Sequence, residues 1–100
     1  MRMKDGRDMY RGSQIAYIPN HAKDTEGKAI LTHPDIEYGF INSFNSEGKP
    51  FCRYWNKNIP TELRTKANSE LTDLQNILIC VSVPQSQVDA AIADIDKGVY

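Results

Sequence analysis

Cysteine is scarce: Cys52 and Cys80 are the only two in 100 residues. Two thiols do not make the disulfide framework on which small secreted domains rely. One follows Phe51 and the other sits in Leu78-Ile79-Cys80-Val81, so both read as small buried hydrophobes in a reducing, cytoplasmic setting. No Asn-x-Ser/Thr acceptor for glycosylation occurs. No apolar run approaches the ~18 residues of a membrane span. Residues 1–9, MRMKDGRDM, lack the apolar core of a secretory leader. Six glycines and five prolines are too few for a low-complexity chain. The charge is nearly balanced, 12 Lys+Arg against 13 Asp+Glu, which argues against a strongly basic nucleic-acid coat.

Signatures of catalysis are lacking as well. There is no G-x-x-x-x-G-K-S/T and no G-x-G-x-x-G, so no loop is built to cradle phosphates. His21, His33, Cys52 and Cys80 are metal-ligand types, but none stands at C-x-x-C or H-x-x-x-H spacing, so neither metal nor cofactor is expected. Arg53 adjoins Cys52, yet neighbours in a strand point to opposite faces, so the cation does not activate the thiol. Asp35 and Glu37 fall on one strand face and read as a solvated edge rather than a catalytic pair. The expectation is a protein that is not an enzyme.

What is present is a series of short strand patterns. Residues 1–9 mix charges with little apolar content, predicting a flexible N-terminus ahead of structure beginning near Tyr10. Gln14-Ile15-Ala16-Tyr17-Ile18 is rich in strand formers and stops at Pro19. Residues 20–35 are polar and predict a long loop, of the kind that often carries function. Its end, His33-Pro34-Asp35, reads as a rigid turn or as the lip of a ligand site. Ile36 to Ile41 forms the second strand, and Gly39 within it signals a bend, bulge or close backbone approach. Asn45-Ser46-Glu47-Gly48 is a hairpin turn. Phe51 to Trp55 follows, with Phe51, Arg53 and Trp55 on one side and Cys52 and Tyr54 on the other. Thr61 to Lys66 is the candidate fourth strand, Thr72 to Asn76 a short helical turn, and Ile77 to Val81 the buried fifth strand.

The clearest helix lies at the end. Ser82 with Gln85 makes a capping-box signature, Pro84 suits the first turn and Gly98 the stop. Val88, Ala91, Ile92 and Ile95 form one apolar stripe, which must dock either on the chain's own sheet or on another chain, leaving a homo-oligomer open.

This order resembles the SH3-like small barrels. The likeness rests on Gly12-x-x-Ile15-x-Tyr17 opening the first strand, Gly39-Phe40-Ile41 in the second, and Thr72 to Leu78 before the closing strand. It implies a mainly β fold, a five-stranded barrel over residues 10–81, with an amphipathic C-terminal helix over 82–98 added. Such barrels bind peptides, nucleic acids or proteins, so the resemblance does not choose a function.

Charge patterning adds one pointer. Residues 49–66 hold Lys49, Arg53, Lys57, Arg64 and Lys66 against Glu62, whereas residues 67–100 hold five carboxylates against Lys97. Arg53, Tyr54, Trp55, Arg64, Lys66 and Asn68 thus concentrate cations, aromatics and an amide, the side chains that contact phosphates, stack on bases and read polar edges. Two function classes follow. The first is a non-enzymatic module for a phosphorylated or nucleotide-like ligand, similar in size and residue use to small phage proteins that sequester nucleotide signals. A short single strand fits that reading better than long duplex DNA, which demands many phosphate contacts. The second is a protein–protein adaptor or inhibitor, with the aromatics as anchors and Val88, Ala91, Ile92 and Ile95 as interface.

Overall fold

A computed structural model describes residues 9–64 and 70–99. The described residues are mainly β, with five antiparallel strands in a single sheet and one C-terminal helix among them. The strands are β1 (Gln14–Tyr17), β2 (Glu37–Phe44), β3 (Pro50–Tyr54), β4 (Glu70–Leu71) and β5 (Ile77–Ile79), and α1 spans Gln85–Asp96. The spatial order is β4-β3-β2-β1-β5: a meander whose last strand returns beside the first. Among the described residues β4 and β5 do not pair, so the sheet stays open at both edges.

Alternation along the strands sorts the side chains into two layers. On one face, Ile15, Ile41, Cys52, Tyr54 and Ile77 pack together with Met9, which is fully buried. Structure therefore begins before Tyr10, and residues 1–8 lie outside the described residues. On the other face, Phe40, Trp55 and Leu63 receive Val88 and Ala91 of α1, while Ala16, Ile18, Ala22 and Ile36 form an adjoining cluster. Tyr38 packs against both of these clusters and joins helix and loop into one layer.

Gly39 explains how β2 and β3 approach so closely. A Cβ at this position would lie 1.9 Å from the Arg53 carbonyl oxygen. Two residues further on, the register shifts between Ile41 and Ser43, leaving Asn42 as an extra residue. Arg11 uses that bulge: its Nε and Nη2 donate to Asn42 Oδ1, and its Nη1 and Nη2 donate to Asp96 near the end of α1. These hydrogen bonds hold the Asp96 carboxyl below its ordinary pKa.

Two elements differ from the sequence expectation. Residues 61–64 of the expected fourth strand Thr61–Lys66 form no named strand, residues 65–66 lie outside the described residues, and Glu70–Leu71 pairs with β3 at Cys52 and Phe51. Leu63 makes only an isolated bridge with Trp55, although its side chain is buried as its apolar character demands. The capping box is not formed either. Pro84 occupies the N-cap without a side-chain hydrogen bond. Gln85 instead donates to the Gly12 carbonyl, and buried Gln14 binds the chain leading into the helix. Its Oε1 accepts from the Ser82 and Val83 amides, and its Nε2 donates to the Val83 carbonyl. A tertiary amide thus replaces the local cap. The C-terminus follows expectation: Gly98 has φ +80°, its N–H reaches Ile95, and the Val99 N–H reaches Asp94.

Candidate functional site

Among the described residues, those that cluster in sequence divide between the two faces of the sheet. Arg53 and Tyr54 are adjacent in β3 and so face opposite layers. Tyr54 is 1 % exposed and belongs to the core, where its hydroxyl meets Thr72 Oγ1 at 2.7 Å. Arg53 is 4 % exposed opposite Phe40 in the β2–β3 register, and burial lowers its pKa while leaving it a cation. Trp55 is also buried, tilted against Phe40 with ring centroids 5.4 Å apart.

Arg64 follows the other face. Its guanidinium lies over the Tyr54 ring and is held by two carboxylates. Nε meets Glu37 Oε1 at 3.1 Å, and Nη2 meets Glu70 Oε1 at 3.0 Å. Arg53 and Arg64 therefore do not converge: strand alternation separates them, and Arg64 is already neutralised. Lys66 and Asn68 lie outside the described residues. The helix stripe is likewise occupied at home. Val88 and Ala91 are buried against the sheet, and Ile92 and Ile95 pack half-buried on the same cluster. The stripe packs against the chain's own sheet.

The buried groups of β3 set an alkaline limit. Burial pushes the Cys52 thiol from 9.0 to about 11, against the opposing hydrogen bonds of Thr72 and Tyr54, and raises the Tyr54 hydroxyl strongly. Both raised values mean that the folded state keeps protons the unfolded chain releases. Stability is thus complete below pH 9 and falls as pH climbs towards 11, by on the order of 1 kcal/mol per pH unit for each group. Urea titrations at successive pH values should show that decline, and Cys52→Ala should delay its onset.

A different site emerges from residues scattered along the chain. A groove of about 310 Å³ opens on the helix-side layer, lined by Pro34, Ile36, Tyr38, Trp55, Asn56, Lys57, Pro60, Ser82 and Val83. Four segments supply it: the end of the long loop with the start of β2, the end of β3, the turn that follows, and the entry to α1. The walls are mostly apolar, and Lys57 is the one cation among the described lining residues. Lys57 is anchored by donating its Nζ proton to the Pro34 carbonyl, which ties the turn to the loop. Asn56 shapes the turn itself, its Oδ1 accepting from the Asn58 and Ile59 amides. The buried indole N–H of Trp55 has no acceptor among the described residues. That nitrogen has no exposed surface, so it is the other edge of the indole that lines the groove.

Of these residues only Trp55 belongs to the sequence-predicted ligand site. The loop lip at His33-Pro34-Asp35 was the one other local pointer, through its rigid turn and the long polar loop before it. No family model, curated protein or solved structure matches this chain.

Proposed function

We propose that this chain is a non-enzymatic protein-interaction module whose groove takes a short segment of another protein. The carrying observation is the apolar groove formed around Tyr38 and Trp55, with Lys57 as the one cation among its described lining residues. Aromatic walls and two prolines suit an apolar side chain, and Lys57 suits a neighbouring carboxylate. The occupant is thus an extended segment with a bulky apolar residue beside Asp or Glu. A small SH3-like barrel in a reducing compartment completes this reading. Its supports are the meander with β5 returning beside β1, the 3-10 turn Leu74–Asn76 between β4 and β5, and two cysteines that are not joined.

The nucleotide-type reading has less support. It relied on Arg53 and Tyr54, which are buried, and on Arg64, which is ion-paired to Glu37 and Glu70. Panning a random peptide library against the purified chain separates the two. Enrichment of peptides with an apolar residue next to an acid, lost or redirected to basic neighbours by Lys57→Glu, is the expected result. Such binding should change little with salt, since apolar docking leads it. Failure to enrich any pattern, together with a thermal shift on adding nucleotides or short oligonucleotides, would reinstate the nucleotide-type ligand.

A further inference from the structure

The long loop does more than line the groove. It folds back on itself through a bridge between Lys23 and Ala29, with the Ile30 amide donating to the Ala22 carbonyl. That return carries His33 and Asp35 to His21, twelve and fourteen positions away in sequence. His21 Nε2 lies 2.7 Å from Asp35 Oδ2, and the two imidazole rings meet edge to face at 5.2 Å between centroids. One ligand-type atom from each of the three residues falls within 4.8 Å of the others. His21 and Asp35 are exposed, so a solvated ion can reach them.

We propose that His21, His33 and Asp35 form a binding site for a divalent transition-metal ion of the zinc type. Two imidazoles and one carboxylate are borderline donors that suit zinc and its neighbours, whereas magnesium and calcium prefer all-oxygen sets. The chemistry starts from the His21–Asp35 hydrogen bond. The cation takes the proton's place between Nε2 and the carboxylate, and in the neutral imidazole the ring proton moves to Nδ1, which leaves the Nε2 lone pair for the metal. Bond lengths of ~2.0–2.2 Å in a tetrahedral arrangement set donors ~3.4 Å apart, so the 2.7 Å contact opens and separations of up to 4.8 Å close by as much as about 1.4 Å. Loop side chains with this much exposure make such shifts readily.

His33 supplies a specific readout. Its Nδ1 accepts the Asp35 backbone N–H at 3.1 Å, fixing the turn around Pro34. Ligation by His33 disturbs this bond, either by taking the Nδ1 lone pair or by moving the ring proton onto Nδ1. The Asp35 amide must therefore respond to metal, although it is not itself a ligand. Three protein donors leave a coordination position open to water or to a group from another molecule.

The test uses the full chain freed of any affinity tag, titrated with zinc chloride alone while amide spectra are recorded. Saturation at one equivalent is expected, with the Asp35 amide among the most shifted signals and no response to magnesium. His33→Ala and Asp35→Asn should each weaken binding by about tenfold or more. Cys80→Ala should leave it unchanged, because the thiol is not part of the set. Binding that does not saturate, that survives His33→Ala, or that disappears with Cys80→Ala overturns the proposal. Thermal melts of the metal-free variants confirm folding, and a peptide-binding result of either sign leaves this outcome independent.

Discussion

Gly39→Ala is expected to abolish stable folding. The added methyl would sit 1.9 Å from the Arg53 carbonyl oxygen, 2.9 Å from its carbonyl carbon and 2.9 Å from the Tyr54 Cα. All three atoms are backbone, so no side chain can rotate away. Relief requires β2 and β3 to separate, at the point where the Trp55 amide also donates to the Tyr38 carbonyl. Ordinary overpacking costs ~1–3 kcal/mol, and a clash with fixed backbone exceeds that. Against a typical total of about 5–15 kcal/mol, the loss leaves little or no folded protein. Gly27→Ala is the control. Gly27 has φ +81° but nothing within 4 Å of the added carbon, so only local strain of roughly 1–2 kcal/mol applies. Urea unfolding followed by circular dichroism distinguishes them. A Gly39→Ala midpoint equal to that of Gly27→Ala would mean that β2 and β3 do not pair this closely.

That glycine also shows what a sequence makes legible. An interruption in an alternating strand has few physical causes, and close backbone approach was among those expected. Strands β1, β2, β3 and β5 were likewise readable, because apolar alternation or an apolar run ends at Pro19, Gly48 or a polar turn. The stripe and Gly98 disclosed α1. Strand β4 was not readable: it is two residues long and both are exposed, so it carries no burial signal. Met9 stood in a charged stretch that masked a core residue. Ser82 and Gln85 had the right spacing for a local cap, yet Gln14, some seventy residues away, claimed the same backbone groups.

The site was less legible than the fold, for a geometric reason. A run such as Arg53-Tyr54-Trp55 looks like one constellation, but a strand divides it between two faces. The groove has the opposite character. Its lining comes from four segments separated by up to about fifty residues, and no local spacing reveals it. The His21, His33 and Asp35 group lies between these cases. The expectation of no metal rested on the absence of the usual short spacings, which describe helices and tight knuckles. A loop that doubles back can join the same residue types at any separation.

Phe40→Ala is expected to cost about 3–5 kcal/mol, the range for removing a buried ring. Phe40 has no exposed surface and occupies the middle of the helix-side layer, touching the cluster that contains Trp55, Leu63, Val88 and Ala91. Nothing beside it can fill the space. Trp55 is fixed by its backbone bond to Tyr38 and by the bridge to Leu63, and α1 is tethered at both ends, by Gln14 and by Arg11. The cavity therefore persists, and cavities that cannot collapse lie at the costly end of the range. The consequences reach the groove, because Trp55 and Val83 both pack on this cluster and line its wall. Trp55 fluorescence should report the change directly, since it is the only tryptophan. Urea unfolding is expected to show a large fall in midpoint, and hydrogen exchange in α1 should accelerate more than in β1. A shift within the ~0.5 kcal/mol typical of surface positions would contradict the docking of α1 on this sheet face. Peptide binding should weaken in Phe40→Ala even at temperatures where it stays folded, whereas zinc binding at His21, His33 and Asp35, none of which belongs to the Phe40 cluster, should persist.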